Sequence, residues 1–329
     1  MPSHDVMPNM ELYQPVQVED ALEIADRLAD RGWLVGGGQD TYGWLKDRAK
    51  DVDALIDLSA IESLRGIRET ADGVEIGALT TLTEIINSDV LRNSYALLTD
   101  AAGVVASPQI RNIGTLGGNV SQDVRCWYYR RGLSCYRAGG NLCYADTPEG
   151  MNREHALFDA SRCVAAGASD TSSALVALDA SMVIENSSGE RVVSAEDFFV
   201  GPANDIENTT ILRPGDILTA VRIPSTWANA SFYWEKVADR NVWDFSLVNI
   251  AAAFKLSGGN ITDSRIVAGA VQTTPRRLTN VEIAVQGQPK NQETGESVMN
   301  MATDGARALA HNGFKVPLLQ NLVKRAISA

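Results

Sequence analysis

The sequence predicts an α+β fold, and three regions of the chain support that prediction. Within the first 60 residues an amphipathic helix leads into a strand, a glycine-rich loop and a second strand. The dipeptides Asp72-Gly73 and Ser188-Gly189 then join pairs of short strand-like segments, as tight turns do. From Ser231 onward, three strand-like segments in succession indicate an antiparallel meander that is followed by helices. We therefore expect parts at 1–60, 61–225 and 229–329, with the main boundary near Pro224 to Asn229.

The first elements are defined by periodicity and by a glycine stop. Apolar residues recur at helical spacing from Val18 to Arg31, and Gly32 ends the predicted helix. Trp33 to Val35 form a predicted strand that runs directly into Gly36-Gly37-Gly38, and Ala54 to Leu58 form the next strand. These residues predict a strand, glycine loop and strand unit.

The middle of the chain is predicted to contain two hairpins, several helices and a closing strand. Thr81 and Glu84 have the spacing of a capping box, with which a helix begins. Another helix is expected to end near Val105. The other predicted segments are hairpins from Gly66 to Thr70 with Val74 to Leu79 and from Met182 to Glu185 with Arg191 to Val193, a helix from Ser172 to Asp179, and a strand from Asp216 to Ile223.

The C-terminal part is predicted to be an antiparallel sheet covered by two helices. Its strands are expected from Phe232 to Lys236, from Ser246 to Leu256 and from Ile261 to Val271. The helices are expected from about Glu293 to His311 and from Pro317 to Ile327.

Composition excludes several classes of function. A net charge of -12 argues against a nucleic-acid partner, because phosphate binding depends on clustered cations. No apolar run reaches the roughly 20 residues of a membrane-spanning helix, so we expect no direct membrane insertion. The N-terminus shows neither the basic nor the apolar part of a signal peptide, which predicts a cytoplasmic protein unless a partner's signal exports it. With His4, His155 and His311 as its histidines, the chain offers no nucleophile and base pair, so we predict no catalytic residues.

Two glycine-rich loops indicate a nucleotide site. Glycine lets backbone N–H groups approach a phosphate closely, and the loops at Gly36–Thr41 and Gly114–Asn119 each follow an apolar segment. Neither loop matches the dinucleotide fingerprint of a Rossmann fold, and neither is followed by the lysine of a P-loop. Together they predict a nucleotide or dinucleotide without specifying which.

All four cysteines lie in one segment that starts seven residues after the second glycine loop. They are Cys126, Cys135, Cys143 and Cys163, with 8, 7 and 19 residues between them. Structural zinc usually has two close cysteine pairs, whereas iron–sulfur clusters accept thiolates from widely spaced loops. The spacing favours a cluster, and zinc or free thiols remain open. His155 lies in the segment but is expected not to be a ligand, and the nearby cations Arg125, Arg130 and Arg131 are expected to offset thiolate charge.

Four motifs follow one another along the chain, and they are Val35–Thr41, Ile110–Asn119, Ala168–Asp170 and Pro214–Pro224. The most specific of them is the Arg-Asn-x-Gly-Thr-x-Gly-Gly-Asn run in the second. Their order resembles the FAD-binding medium subunit of the molybdenum hydroxylases, the xanthine dehydrogenase family, and the resemblance covers nearly the whole chain. The resemblance implies a two-part FAD-binding domain of the vanillyl-alcohol-oxidase and CO-dehydrogenase flavoprotein type, formed by subdomains 1–60 and 61–225, and a CO-dehydrogenase-flavoprotein-like C-terminal domain, 229–329.

The resemblance also implies which residues bind FAD. Asp170 would accept hydrogen bonds from the ribityl chain, Leu218 would pack near the isoalloxazine, and Lys236 would lie close to the flavin ring. The alternatives are a helix N-cap for Asp170 and a solvated edge-strand lysine for Lys236. Gln39 stands where the family commonly has threonine. The full set implied is Val35, Gly36, Gly37, Gly38, Gln39, Asp40, Thr41, Tyr42, Thr115, Gly117, Gly118, Asn119, Asp123, Asp170, Leu218 and Lys236.

The cysteine segment resembles two branches of the family that carry an additional 4Fe-4S cluster. The run Asn119-x3-Asp123-x-Arg125-Cys126 is similar to the 4-hydroxybenzoyl-CoA reductase FAD subunit, whereas the long gap before Cys163 is similar to periplasmic-type aldehyde oxidoreductase FAD subunits. The four cysteines would bind the cluster in an insertion at 124–165.

The resemblance implies an electron-transfer flavoprotein subunit that works with a molybdopterin-binding large subunit, a 2Fe-2S small subunit and an external electron acceptor or donor. The complex would oxidise an aldehyde or an aromatic or N-heterocyclic substrate. The alternative from another class is a zinc-stapled, non-redox nucleotide-binding module.

Overall fold

The N-terminal part is a three-stranded parallel sheet with one long helix packed on it. The computed structural model describes residues 6–329, so Met1–Asp5 of the predicted 1–60 part, with His4, lie outside the described residues. The elements are β1 (Glu11–Tyr13), α1 (Val18–Leu28), β2 (Gly32–Val35), α2 (Thr41–Lys46) and β3 (Ala54–Asp57), and β3 is the central strand. Helix α1 buries Ala21, Ala25 and Leu28 against the sheet, which confirms most of the predicted apolar face. The α-helix ends at Leu28, before the predicted stop at Gly32, because Ala29 adopts a φ of 50°, and Ala29 is exposed.

The middle part is an antiparallel sheet of five strands in the order β4-β5-β8-β6-β7. Its strands are β4 (Ile67–Thr70), β5 (Gly73–Gly77), β6 (Ser181–Asn186), β7 (Gly189–Ser194) and β8 (Ile217–Pro224). Between β5 and β6 the chain leaves the sheet for helices α3 (Leu82–Asn87), α4 (Asp89–Ser94), α5 (Ala96–Gly103), α6 (Pro108–Arg111), α7 (Leu116–Val120), α8 (Trp127–Arg130) and α9 (Asp170–Ala177), and α10 (Ala195–Phe198) follows β7. The capping box of α3 is confirmed, because the Thr81 and Glu84 side chains each accept the other's backbone N–H.

The C-terminal part is an antiparallel sheet in the order β12-β11-β10-β9, with helices on one face. The strands are β9 (Ser231–Val237), β10 (Val248–Ser257), β11 (Asn260–Gly269) and β12 (Arg276–Arg277); the helices are α11 (Thr279–Val285), α12 (Gln292–Val298) and α13 (Lys315–Ser328). This arrangement confirms the predicted α+β class with its C-terminal antiparallel sheet. None of the helices in residues 6–329 is long and apolar enough to cross a membrane.

The predicted helix from Glu293 to His311 begins where expected but is wrong in its length. Helix α12 ends at Val298, a 3-10 turn follows over Met299–Thr303, and Gly305 adopts a left-handed φ of 79°. The next residues bind the cysteine segment instead: the Arg307 N–H donates to the Leu157 carbonyl at 2.8 Å. Tertiary contacts therefore end the helix, and sequence periodicity did not indicate α11.

The strand β8 is anchored by a buried carboxylate. Asp216 accepts two hydrogen bonds from Arg191, at 2.9 and 2.6 Å, and one each from Asn186 and the Arg213 N–H. Burial on its own raises the pKa of Asp216, but these donors outweigh it and hold the pKa below its usual value. The carboxylate therefore stabilises the fold above its unfolded pKa, and this contribution is lost as the pH falls through the lowered folded pKa.

We expect Asp216→Asn to lower the free energy of unfolding by about 1–3 kcal/mol at pH 7, because it removes charge-assisted hydrogen bonds. The loss should shrink as the pH is lowered from 7 towards 3, because the contribution of the carboxylate is lost as the pH falls towards and through its lowered folded pKa. Urea denaturation at both pH values measures the difference, and Asp72→Asn at the exposed turn is the control. An equal loss at pH 7 and pH 3 would contradict the assigned charge.

Candidate functional site

The cavity lined by most of the predicted residues, here called the main cavity, lies where the two glycine loops meet the C-terminal part. It has a volume of about 410 Å³, and its far side is formed by Trp243, Asp244 and Phe245 from the loop between β9 and β10. Ten of the residues that the sequence singled out line it: Gly36, Gly37, Gly38, Gln39, Asp40, Thr41, Thr115, Gly118, Asn119 and Asp170. The structure therefore brings the two loops and the Ser-Asp motif to one site.

The two glycine loops pack backbone against backbone. A Cβ atom on Gly37 would lie 2.1 Å from the Ile113 carbonyl oxygen, far inside van der Waals contact. Gly38 has a φ of 71°, in the left-handed region that favours glycine. Thr115 caps α7 by accepting the Gly118 N–H at 3.1 Å. Glycine is therefore required in the first loop both for its conformation and for its contact with the second loop.

Six of the predicted residues do not line this cavity. Val35 and Gly117 are buried behind the loops, and Tyr42 is largely exposed. Leu218 is buried in the core of the five-stranded sheet, so its contact with a flavin ring stays a prediction. Asp123 and Lys236 both form ion pairs close to the cavity, with Lys50 and Asp170 respectively.

Asp170 and Lys236, predicted separately, form one buried ion pair. The Lys236 Nζ donates to Asp170 Oδ2 at 2.6 Å, and the two side chains are 8% and 4% exposed. Ser246 and Asn249 donate to Oδ1 at 2.5 and 3.3 Å. The interpretation of Lys236 as a solvated edge-strand lysine is therefore wrong. The N-cap interpretation of Asp170 is also wrong, because the Ser169 hydroxyl caps α9 and Asp170 is its first residue.

A second charged network joins the first glycine loop to the cysteine segment. Arg125 Nη2 lies 2.7 Å and Arg130 Nη1 3.6 Å from Asp40 Oδ1. On Oδ2, Asp40 accepts the Trp44 indole N–H at 3.0 Å and the Asp123 N–H at 3.3 Å. The expectation that Arg125 and Arg130 balance the cysteines is therefore wrong in detail, since their partner is Asp40; Arg131 is exposed.

The four cysteines surround one small cavity. All are free, Cys135 and Cys163 are buried, and Cys126 and Cys143 are half-buried. Among residues 6–329, no group of three or more histidine, cysteine, aspartate or glutamate side chains is arranged to hold a single metal ion. The thiols thus line a shared space but do not converge on one point. A mononuclear zinc site would require such convergence, with Zn–S distances of about 2.3 Å.

The same cavity contains a buried cation. The Arg137 side chain is 1% exposed, and its Nη1 donates to the Glu207 carbonyl at 2.8 Å and lies 3.5 Å from Asp123. Burial on its own lowers the pKa of Arg137, but Asp123 and then Cys163 raise it. Its Nε and Nη2 have no hydrogen-bond partner. Two unpaired donors on a buried cation suit a site where the thiol groups carry negative charge.

Cys126 and His155 also contact each other at this cavity, with 3.3 Å between Sγ and Nε2. Burial raises the pKa of the Cys126 thiol to about 11 and lowers the pKa of His155 to about 4. Both groups are therefore neutral at pH 7, and the pair lacks the thiolate of a reactive cysteine. A thiolate at this position requires a compensating positive centre.

Sequence reasoning missed the aromatic residues beside the main cavity. Phe245 stacks under Arg125, with 4.6 Å from the guanidinium carbon to the ring centroid, and Trp243 has a positive φ of 76°. A second cavity of about 540 Å³ shares Arg125, Trp243 and Phe245 with the first and extends to Cys126. The available signal was the exposed Trp-Asp-Phe run in a polar loop between two strands.

Two family models match consecutive parts of the chain. Residues 8–226 match the FAD binding domain in molybdopterin dehydrogenase, and residues 234–329 match the CO dehydrogenase flavoprotein C-terminal domain. The first match alone covers well over half of the chain.

Individual proteins match along almost their full length. The carbon monoxide dehydrogenase medium chain of Hydrogenophaga pseudoflava is 25% identical over 98% of both chains. The aldehyde oxidoreductase FAD-binding subunit PaoB of Escherichia coli is 29% identical over 96% of both chains. Among solved structures, a carbon monoxide dehydrogenase from Hydrogenophaga pseudoflava matches with a TM-score of 0.78 and 25% identity, covering 98% of this chain and 97% of that one. A zinc-stapled module outside redox chemistry does not fit these matches.

Proposed function

The chain belongs to the FAD-binding medium subunits of the molybdenum hydroxylase and CO dehydrogenase family, and we propose that its cysteine segment binds an additional 4Fe-4S cluster. As a member of that family it is the FAD subunit of an oxidoreductase complex, in which the substrate is converted on another subunit. The division into 1–60, 61–225 with an insertion at 124–165, and 229–329 belongs to the same proposal.

The main cavity provides the FAD site of this proposal. FAD, when bound, supplies one-electron and two-electron redox chemistry between iron–sulfur centres and an external acceptor or donor. The first loop, Val35–Tyr42, and the second, Thr115–Asn119, would hold the pyrophosphate on backbone N–H groups. The Asp170 carboxylate lines the cavity and accepts three hydrogen bonds from the protein, which leaves it capacity for one ribityl hydroxyl.

Lys236 acts on this site through Asp170. Its ammonium is bound to Asp170 Oδ2 and to the Val104 carbonyl at 3.1 Å, so it holds the carboxylate in place beside the cavity. Asp123, which pairs with Lys50 and Arg137, would likewise support the site from behind the loops. Leu218 would act from the sheet core.

The single observation that carries the cluster proposal is the cavity shared by Cys126, Cys135, Cys143 and Cys163. Four thiolates around a cluster give a net negative centre, and Arg137 offers two unpaired N–H groups on a buried positive charge beside it. The charge and the donors of Arg137 thus complement such a centre. Four neutral thiols would offer these donors only weak acceptors.

Several relatives support a proposal about the partners and the substrate class. Those matched include a glyceraldehyde dehydrogenase medium chain, an aldehyde oxidoreductase subunit and a nicotinate dehydrogenase subunit. We propose that the chain works with a molybdopterin-binding large subunit, a 2Fe-2S small subunit and an external electron acceptor or donor in the cytoplasm. The substrate would be an aldehyde or an aromatic or N-heterocyclic compound, and the complex a heterotrimer.

We expect the purified full-length chain, prepared without oxygen, to show flavin bands over a broad iron–sulfur absorption and to contain about four iron atoms. Cys135→Ser and Cys163→Ser should each lower the iron content to less than about half while FAD is retained, because each removes one of four ligands. Iron analysis and flavin release measure the two cofactors. Ser134→Ala, at an exposed position beside Cys135, is the matched control.

Two results would contradict the proposal, one for both cofactors and the other for the cluster alone. A colourless protein that contains zinc would contradict both cofactors. A yellow protein whose iron content is unchanged in both cysteine variants would contradict the cluster alone and leave the FAD subunit intact.

A further inference from the structure

The buried imidazole of His155 contacts one of the four cysteines. The residue is 4% exposed, its Nε2 lies 3.3 Å from Cys126 Sγ, and its Nδ1 has no hydrogen-bond partner. A proton on Nδ1 would leave a buried N–H unpaired and would turn the Nε2 lone pair towards sulfur. The proton therefore belongs on Nε2, where it is donated to Cys126, because unpaired buried N–H groups are the rarer and costlier case.

The backbone at His155 is fixed from the C-terminal part of the chain. Lys315, which is fully buried at the start of α13, donates at 3.0 Å to each of the carbonyls of Glu154, His155 and Ala270. Asn312 donates to the His155 and Ala156 carbonyls at 3.1 and 3.0 Å. With both of its backbone neighbours tied down, the imidazole is pre-positioned for its contact with sulfur.

We propose that His155 is a positioning residue of the cysteine-bound centre, where its Nε2–H donates to Cys126 Sγ and raises the reduction potential of the cluster. This inference rests on the proposed 4Fe-4S cluster. A cluster becomes more negative when it is reduced, so a hydrogen bond to a ligand sulfur stabilises the reduced form more than the oxidised form. Because the cavity has a volume of only about 10 Å³, it leaves little room for a water molecule to replace the donor.

The test compares His155→Leu, which removes the donor, with His155→Gln, which places an amide N–H₂ near the position of Nε2. Redox titration of the full-length chain, followed by electron paramagnetic resonance, gives the reduced-to-oxidised ratio at the wild-type midpoint. We expect His155→Leu to lower that ratio about tenfold, equivalent to ~59 mV for a one-electron couple. His155→Gln should stay within about twofold of wild type.

His311→Gln and His311→Leu are matched controls, because the His311 side chain is exposed and only its backbone N–H contacts this region, at Asn152. Both should leave the potential unchanged. Equal potentials in wild type, His155→Leu and His155→Gln would overturn the role of His155 while the cluster stands. Absence of iron from the wild-type chain would instead overturn the proposed function.

A measurement on the wild-type chain covers the case in which His155→Leu does not assemble. Pulsed electron paramagnetic resonance of the reduced, ¹⁵N-histidine-labelled protein should show a weak nitrogen coupling and an exchangeable proton, and labelled His155→Gln should lack the nitrogen coupling. A strong coupling, as from a directly bound imidazole, would overturn the proposal by making His155 a ligand. A spectrum without nitrogen coupling would overturn it as well.

Discussion

Replacing Gly37 by alanine is expected to abolish tight FAD binding while the three sheets remain folded. The added methyl group would lie 2.1 Å from the Ile113 carbonyl oxygen and 3.1 Å from the Gly114 Cα, so the backbones of the two loops must move apart. Backbone N–H groups that cradle a pyrophosphate lose their geometry when one side of the cradle shifts. We expect FAD affinity to fall at least about 100-fold, measured by flavin fluorescence titration of the apoprotein.

Gly103→Ala is the matched control for this substitution. Gly103 is the last residue of α5, and a Cβ built on it meets no atom within 4 Å. This variant should bind FAD as wild type does and should have the same circular dichroism spectrum. Wild-type affinity in Gly37→Ala would show that the contact between the loops is not part of the FAD site.

Lys236→Met is expected to have the second large effect, this time on stability. It would leave the Asp170 carboxylate buried with only the neutral donors Ser246 and Asn249. Removing one partner of a buried ion pair typically costs about 3–5 kcal/mol, because the remaining charge has lost its compensation. Urea denaturation followed by tryptophan fluorescence should therefore show a large drop in the free energy of unfolding.

The double variant Asp170→Asn with Lys236→Met separates charge from shape. It removes both charges while keeping the length of the Asp170 side chain, so its stability should lie above that of Lys236→Met alone. FAD affinity should still fall in the double variant, since the ionised acceptor beside the cavity is lost. If the double variant were less stable than Lys236→Met, the uncompensated charge of Asp170 could not be the cause of the stability loss in Lys236→Met.

Local sequence patterns were sufficient for most of the fold. The apolar spacing of α1, the capping box at Thr81 and the turn at Asp72-Gly73 depend on residues only a few positions apart, and each appears in the structure. The failure between Met299 and Phe314 has the opposite origin. There Arg307 and Asn312 bond to carbonyls more than a hundred residues earlier in the chain, and these contacts override local helical periodicity.

In the candidate site, too, some residues could be predicted from local sequence and others only from tertiary contacts. The two glycine loops and the four cysteines each lie within a short segment of the chain, so the sequence was enough to identify them. Arg137 gave no signal, because its importance comes from burial beside the cysteine cavity. The pairing of Asp170 with Lys236 could not be predicted either, since the two residues are 66 positions apart and lie on different parts of the fold.

The carboxylate of Asp40 contacts both proposed cofactor regions, so we expect binding at one region to change the binding affinity at the other. Asp40 lines the main cavity, and its oxygens bind Arg125 and the Asp123 N–H at the entrance to the cysteine segment. A cofactor that binds on one side orders Asp40, so binding on the other side then costs less conformational entropy. Linkage then requires that the factor by which one cofactor strengthens the binding of its neighbour be the same in the opposite direction. Under the proposed function, the binding of FAD and the binding of the cluster would therefore be coupled equilibria.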